Sequence, residues 1–399
     1  MRVAKRPPGP GTEAGPAAGP AVPAALRSLK EFEHLPLAQM VALVRGGPLL
    51  GSSLRERATI VVMLGRLRTC VPGLLAFALG LSYTAPVAWW RGALGGLLSL
   101  LIAFSANLHN AYTDIEEDCY NLPGRTWLLA RLGLARLKWT LVGVSAFMAV
   151  AAVPLGLPFL GLMLLAIAGL HQYSFPPLRF KAWPLAGLLV FAQAVGFPFL
   201  FGLLADPGAQ LWFPSRRYLG MLAFLMFWFV AKGTFKNVPD FYGDRAVGLR
   251  TSATIFRTWR QAAGVAGVLT VTAYLSLAAL VALGLAPVRL LLSLGWVPLA
   301  AWQCVRLFRA DSGPAGNDVL RDDMRVSAGF LVSVLLLAAP RPASLVAVLA
   351  GGAVLVGVDL LRLDSRRARD AARGDAASPG GASGGASSGG VVGAADAGH

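Results

Sequence analysis

Polar positions are sparse along most of this chain, and where they fall divides it into segments. Apolar runs close to 20 residues recur between Val71 and Leu361, separated by short stretches of Arg, Lys, Asp, Gly and Pro. Runs of that length match a bilayer core crossed by an α-helix. Ten are predicted, at 70–90, 93–112, 139–157, 159–175, 185–204, 218–238, 262–284, 287–308, 326–340 and 342–361. The ninth is short, and Pro340-Arg341-Pro342 suits either a tight turn or a kink, so nine spans plus a re-entrant or surface helix is the alternative count. The alternating ten-residue pattern of a β-barrel does not occur. The fold class is therefore all-α, a polytopic transmembrane helical bundle.

The flanks read differently. Residues 1–26 are rich in Pro, Gly and Ala, an expectation of disorder, and their prolines interrupt any signal-peptide core. The mixed stretch from Ser28 to Arg66 suits one or two amphipathic helices lying on the membrane surface. From Ser365 a basic patch leads into a Gly/Ser/Ala-rich tail, a flexible appendage. The predicted organisation is a disordered to amphipathic N-terminal region (1–50), a helical core (51–340), an extra transmembrane helix (341–364) and a disordered tail (365–399).

Composition sharpens the picture. Of 399 residues, 56% are hydrophobic and only 14% charged, against about 25% charged in soluble domains. A water-soluble globule is excluded. A net charge of +16 would suit a nucleic-acid partner, but its distribution does not. With the N-terminus cytoplasmic, the outer loops hold only Arg91, Arg216, Arg217, Arg289 and Arg341, leaving the other 31 of the 36 Lys and Arg on the cytoplasmic side. That is the positive-inside bias of a membrane protein. Trp89, Trp90 and Trp212 then mark the outer boundary. Cys70, Cys119 and Cys304 are too widely spaced for a disulfide framework or a zinc site.

Most carboxylates lie in the tails or in the 311–323 loop, but two groups occupy corresponding cytoplasmic helix ends. The first reads Asn107-Leu-His-Asn110-Ala-Tyr-Thr-Asp114-Ile-Glu-Glu-Asp118. On a helix, four-residue steps drift by only about 40°, so Asn110, Asp114 and Asp118 share a face, with Asn107 a turn earlier and Glu116 pointing away. The second reads Lys236-Asn237-Val-Pro-Asp240-Phe-Tyr-Gly-Asp244-Arg245, with the same spacing but a helix made irregular by Pro239 and Gly243. Carboxylates stacked at a membrane boundary repel one another and are costly to bury. A hard divalent cation relieves that, and Mg²⁺ prefers one or two carboxylates plus waters and substrate phosphates.

Basic groups on the same side supply the complement for a diphosphate: Arg68, Arg125, Arg179, Lys181, Lys232, Lys236 and Arg245. Arg179 and Lys181 lie in Tyr173-Ser-Phe-Pro-Pro-Leu-Arg-Phe-Lys181, where the double proline predicts an extended turn. His109 and His171 flank the motifs and read as packing residues.

Taken together these motifs resemble the UbiA superfamily of intramembrane prenyltransferases. Asn110, Asp114, Asp118, Asn121, Pro123 and Arg125 fall in register with N-D-x-x-D-x-x-x-D followed by N-x-P-x-R, while Lys236, Asp240, Asp244 and Gly248 match K-D-x-x-D-x-x-x-D-x-x-x-G. The 173–181 segment resembles Y-S-x-P-P-L-R-x-K. Ala111 and Asn237 stand where many members carry Asp, and Thr126-Trp127 replaces a segment that is often Pro followed by small residues. The homogentisate-type aromatic prenyltransferases share the first departure and have a similar K-D-I-P-D-x-x-G-D segment.

The resemblance spans roughly residues 66–340 and implies nine family helices around a central cavity, to which this chain adds a C-terminal helix. It implies Mg²⁺, two ions, held by Asn110, Asp114 and Asp118 and by Asn237, Asp240 and Asp244, with catalysis on Asn110, Asp114, Asp118, Asp240 and Asp244. Arg68, Arg125, Arg179, Lys181 and Lys236 would bind the diphosphate, and Asn107, Tyr173 and Tyr242 are candidates for the acceptor or cation pocket. The implied partners are a prenyl diphosphate, an aromatic or other small-molecule acceptor and the lipid bilayer, with no nucleic acid. The implied reaction transfers an isoprenyl group through an allylic cation. The alternative is a terpene cyclase that ionises the same diphosphate without an acceptor. A transporter fits worse, since its acids should sit near the bilayer midplane on interrupted spans.

Overall fold

The computed structural model describes residues 28–49, 53–208 and 215–364. The expectations for 1–26, for Trp212 and for the tail from Ser365 lie outside the described residues. The chain starts with two short helices, α1 (Leu29–Glu33) and α2 (Leu37–Arg45), then α3 (Leu54–Gly65). Ser28 and Ser53 cap α1 and α3, accepting from the backbone N–H of Glu31 and Glu56. A 3₁₀ turn, Leu67–Cys70, leads into α4 (Val71–Leu81). There follow α5 (Trp89–Thr113), α6 (Ile115–Asn121), α7 (Pro123–Leu132), α8 (Leu134–Ala152), α9 (Leu157–Ser174) and α10 (Pro184–Leu204). The rest comprises α11 (Arg216–Asn237), α12 (Phe241–Ala246), α13 (Trp259–Ala282), a 3₁₀ segment Val288–Trp296 running into α14 (Val297–Arg309), α15 (Gly313–Ala338) and α16 (Pro342–Leu360).

Each of the ten apolar segments overlaps a helix, and the protein is a polytopic helical membrane bundle. Among the described residues, eight helices are long and apolar enough to cross a bilayer, and the bent pair Leu54–Gly65 plus Leu67–Leu81 makes a ninth. This corrects the expected first span. Helix α4 stops at Leu81, and α3, expected on the membrane surface, forms with it a pair bent by 47° that is long and apolar enough for a broken span or a re-entrant loop. The bend sits at Arg66, whose φ of 50° interrupts the helix. The second correction concerns 311–323, expected to be a loop. Most of it is the first half of α15, so Asp318, Asp322 and Asp323 are helical. The charges of that half shorten the apolar part of α15, which explains why its run looked short.

Residues 28–45 pack on protein as well. Phe32 of α1 is fully buried, its ring centroid 5.6 Å from that of Trp127 in α7. Met40, Leu43 and Val44 of α2 join the same core. Trp127, one of the residues that depart from the family pattern, is thus the seat for the N-terminal helices. Between helices, glycines set the closest approach. A Cβ at Gly80 of α4 would lie 2.0 Å from the Phe199 carbonyl oxygen of α10, and one at Gly202 would lie 2.2 Å from that of Phe77. Small residues that let backbones touch are the membrane substitute for a hydrophobic driving force. Outward positions such as Leu157 (82% exposed) and Val268 (69%) remain apolar, as a lipid-facing surface requires.

Candidate active site

The first acidic segment is not one uninterrupted helix. Helix α5 ends at Thr113, Asp114 adopts φ −96° and ψ 32°, and α6 restarts at Ile115. The i to i−4 bonds nevertheless continue, from Asp114 N to Asn110 O at 2.9 Å and from Asp118 N to Asp114 O at 2.7 Å. The three residues therefore stay stacked while the chain turns. Glu116 points outward to Arg45 at 3.0 Å, whereas Glu117 is buried.

Every buried acid of this segment has a cationic partner. Arg125 Nη1 donates to Asp118 Oδ2 at 2.6 Å, and its Nη2 to the Asn107 carbonyl at 2.8 Å. Lys181 pairs with Asp114 and lies 3.7 Å from Glu117, which also accepts from Arg179 at 3.3 Å. The turn after α9 delivers these cations: Ser174 ends the helix, Phe175 is extended ahead of Pro176, and Arg179 takes a φ of 40°. Ser174 Oγ donates to Asn110 Oδ1 at 2.9 Å, fastening this turn to the first motif. Asn107 donates to Thr69 Oγ1 at 2.8 Å and to the Gly65 carbonyl at 3.1 Å, tying α5 to the bend before α4.

The second motif lies against the first. Asn121 Nδ2 is 3.4 Å from Asp244 Oδ1 and 3.5 Å from the Asp240 carbonyl oxygen. This approach explains a glycine: a Cβ on Gly243 would stand 2.1 Å from Asn121 Oδ1. Asp240 Oδ1 is buried and has no hydrogen-bond partner. Asn237 donates to Ser252 Oγ at 2.9 Å, in a small polar pocket it shares with Tyr173, Lys181 and Thr251.

The electrostatics follow this geometry. Burial, with the charges of Asp114 and Asp240, pushes the Asp118 carboxyl up to about 7 in spite of Arg125. Burial and Asp240 push Asp244 up to about 8, more than Lys236 and Thr251 bring it down. Burial and Asp114 also raise Glu117. Burial raises Asp114 too, but Lys181 and Thr113 outweigh it and hold this carboxyl below its ordinary value. Four aspartates that feel one another's charge, one with an orphaned oxygen, fit hard divalent cations. Among the described residues no three His, Cys, Asp or Glu converge into an all-protein metal cage. Open sites, completed by waters and phosphate oxygens, are the arrangement these carboxylates suit.

A cavity of about 160 Å³ adjoins the two motifs, reached by Asn110 and Lys236 and not by the four aspartates themselves. Asn107, Asn110, Tyr173, Arg68 and Lys236 line it, and Lys236 Nζ also lies 5.8 Å from the Phe191 ring centroid. Arg68 is held by Asp359 of α16, with Asp364 at 3.9 Å. Two candidates of the second motif are engaged elsewhere. Tyr242 does not reach the cavity: Phe241 takes the inward position of α12, and the Tyr242 ring, 52% exposed, stacks on Trp259 at 5.7 Å. Arg245, likewise outside the cavity, donates to the Arg257 carbonyl. His109 is buried with Nδ1 2.8 Å from the Ser105 carbonyl oxygen, a packing histidine.

The sequence reading missed Asp323, Ser327 and Glu117. Lys232 Nζ lies 2.8 and 3.0 Å from the two Asp323 oxygens, and both residues line the cavity. The available signal was a lysine inside an apolar span, one helical turn before Lys236, which requires a buried counter-charge.

Residues 70–329 match the model of the UbiA prenyltransferase family. Homogentisate solanesyltransferase of Arabidopsis thaliana is 30% identical over 169 residues, 41% of this chain and 43% of that protein. Digeranylgeranylglyceryl phosphate synthase of Thermococcus sibiricus is 26% identical over 231 residues, 57% of this chain and 75% of that one. The chain thus spans less than half the length of the plant relative. A UbiA homologue from Archaeoglobus fulgidus, solved with DMAPP and Mg²⁺, superposes with a TM-score of 0.51 over 70% of this chain and 99% of its own, at 21% identity.

Proposed function

Because the chain belongs to the UbiA prenyltransferase family, we propose that it is a Mg²⁺-dependent intramembrane prenyltransferase. It moves an isoprenyl group from an allylic prenyl diphosphate to an aromatic acceptor and releases diphosphate. One observation carries this reading: two acid motifs from distant parts of the chain are joined through Asn121, and Asn110 and Lys236, each about a turn before an aspartate pair, line a single, largely apolar cavity. The binding of DMAPP and Mg²⁺ by the Archaeoglobus homologue supports it. The relatives named above differ in acceptor, so the aromatic assignment rests on this chain's closer motif similarity to the homogentisate type.

Asp114 and Asp118 with Asn110, and Asp240 and Asp244 with Asn237, would hold two cations. Mg²⁺ held there would supply the positive charge that stabilises the departing diphosphate. Arg125, Arg179, Lys181, Lys236 and Arg68 orient the leaving diphosphate from the sides. The apolar wall shields the allylic cation from water until a ring carbon of the acceptor donates its π pair to C1. The ring proton then leaves to the released diphosphate or to water. A long isoprenoid gains about 0.8 kcal/mol per CH₂ by remaining in an apolar medium, so a site inside the membrane avoids extracting it. The reading orients the acid motifs and the N-terminus toward the cytoplasm. It assigns residues 51–340 to the prenyltransferase core and 341–364 to an added helix that restrains Arg68.

The test incubates membranes holding the full chain with Mg²⁺, labelled geranyl, farnesyl and geranylgeranyl diphosphates and a panel of phenolic acids and naphthoates. Acceptor-dependent product, lost with EDTA and in Asp114→Ala and Asp240→Ala, is the expected result. A labelled hydrocarbon or alcohol formed without acceptor replaces this reading with the cyclase.

A further inference from the structure

The helices that carry and frame the first acid motif are short. Helix α6 has seven residues and α7 ten, and neither has a side-chain hydrogen bond capping its N-terminus. Helices shorter than about 12–15 residues are marginal in water on their own backbone bonds, and neither of these is among the helices long and apolar enough to cross a bilayer. Their order must come from what packs on them. Four-residue rows make the division visible. Asp114 and Asp118 form the row that meets Lys181 and Arg125, while Ile115 and Cys119, the next row round, are buried in an apolar core. On α7, Arg125 points at Asp118, and Trp127, two residues later, turns into the same core.

Residues 28–49 complete that core from the other side. Phe32 of α1 and Met40, Leu43 and Val44 of α2 are buried in it, with α2 packed on both α6 and α7. Polar contacts fasten the same surfaces: Arg45 to Glu116 of α6 at 3.0 Å, and the Leu49 backbone N–H to the Ala130 carbonyl of α7 at 3.1 Å. Pro48 lies against Gly133, where a Cβ would stand 3.1 Å from the proline Cδ. The segment therefore grips both short helices, on the side away from the acids.

We propose that residues 28–49 are a positioning element of the active site, acting through Trp127 to hold α6 and α7 so that Asp118 and Arg125 keep their place against the second motif. This rests on the prenyltransferase reading above and deepens it. The link runs through Asn121 and Arg125. Helix α6 ends at Asn121, whose amide lies 3.4 Å from Asp244 Oδ1, and Arg125 ties Asp118 to the Asn107 carbonyl of α5. If the N-terminal helices loosen, α6 and α7 stay attached to α5 but lose their seat, and the separation of the two aspartate pairs is no longer fixed. A misplacement of about 1 Å at a reacting centre can lower a rate about a hundredfold.

The experiment uses the full chain in membranes and follows diphosphate release from geranyl, farnesyl and geranylgeranyl diphosphates against Mg²⁺ concentration. Phe32→Ala, Trp127→Ala and Trp127→Phe are compared with Phe159→Ala, which empties a ring position on α9 that is as fully buried as Phe32 but lies at the end of α9 remote from the acids. Phe32→Ala and Trp127→Ala should raise the apparent Mg²⁺ constant at least about fivefold and lower kcat at least about tenfold. Trp127→Phe keeps a ring beside Phe32 and should return to within about threefold of wild type. Phe159→Ala should leave the Mg²⁺ constant within about twofold of wild type. Amide exchange in EDTA adds a readout that needs no turnover. In Phe32→Ala and Trp127→Ala, residues 115–132 should exchange at least about tenfold faster than in wild type, while α10 and α11 keep their protection. Phe32→Leu, the milder change, should move both readouts in the same direction, so the test stands even where an alanine variant does not accumulate. A wild-type Mg²⁺ constant in the Phe32 and Trp127 variants, an equal shift in Phe159→Ala, or exchange that rises evenly over the whole chain overturns the proposal alone. Wild-type protein that releases no diphosphate from any of the three donors overturns the parent reading and this one with it.

Discussion

The two aspartate pairs share a spacing but not an environment. In the first, each buried acid is matched by a cation: Arg125 on Asp118, Lys181 on Asp114, Arg179 and Lys181 on Glu117. In the second, Asp240 keeps an oxygen without a hydrogen-bond partner, and its charge raises Asp244 more than Lys236 lowers it. The first half of the site is braced by the protein's own charges, although burial and neighbouring aspartates still raise Asp118 to about 7. The second half is under electrostatic stress that an added cation would relieve. Identical spacing in the sequence thus conceals a difference in how far the protein's own charges offset each pair.

The comparison breaks most visibly if one pair is dispensable. Asp118→Ala and Asp240→Ala are each expected to reduce prenyl transfer at least a thousandfold, equivalent to about 4 kcal/mol of transition-state stabilisation. Labelled-product assays in membranes check this. Retention of a tenth of the activity by either variant would mean that one pair alone carries the chemistry.

The joint between the halves comes next in size. Gly243→Val forces a side chain into the space held by Asn121 Oδ1, which would stand only 2.1 Å from the new Cβ. It should separate α6 from α12 and cost about a hundredfold in kcat/KM. Asn121→Ala removes the bridging amide without a clash and should cost about tenfold. Equal losses in the two variants would mean that the Asn121 amide, and not the close approach, is what matters.

Much of this was legible in the sequence, and the reasons are physical. A bilayer demands long apolar helices, so hydropathy located most of the long helices, although the first predicted segment overran α4 and, among the described residues, eight or nine helices and not ten are long and apolar enough to span. The four-residue acid spacing survives the break at Asp114 because the backbone bonds run through it. What escaped depended on direction. Nothing local indicates that Arg66 bends α3 into α4, that Phe241 rather than Tyr242 turns inward, or that 311–323 is helical and aims Asp323 at Lys232. Such facts are set by tertiary packing. A charge count also cannot reveal that Arg125 and Lys181, expected on the diphosphate, pair with Asp118 and Asp114.

The stress can be titrated. With Asp118 raised to about 7 and Asp244 to about 8, protons compete with metal across the neutral range. Metal binding needs both carboxyls deprotonated, so affinity falls as pH falls. Between pH 8 and pH 6 the apparent Mg²⁺ dissociation constant should rise by more than about tenfold, with protons released on binding. A calorimetric titration in buffers of different ionisation enthalpy reads both. A constant affinity over that range would mean that the carboxyls are ionised throughout and the stress is absent.

The smallest effect separates the halves most directly, because it has opposite signs. The Asp244 pKa is raised on folding, so the folded, metal-free protein holds a proton that the unfolded chain has already lost. Its contribution to stability therefore declines as pH rises from the ordinary aspartate range toward about 8. Asp240→Asn removes a like charge from Asp244 and should raise the unfolding temperature in EDTA at pH 8 by about 1–2 °C. Asp118→Asn instead strips a buried guanidinium of its anion, since Arg125 is 4% exposed, and should lower that temperature by several degrees. Saturating Mg²⁺ stabilises whichever protein binds it, so the Asp240→Asn advantage should turn into a deficit against wild type. Scanning calorimetry in detergent with EDTA and then with Mg²⁺ reads all three signs. A fall for both variants in EDTA would mean that the second pair is braced like the first, through Lys236 or another cation of the α11 to α12 turn.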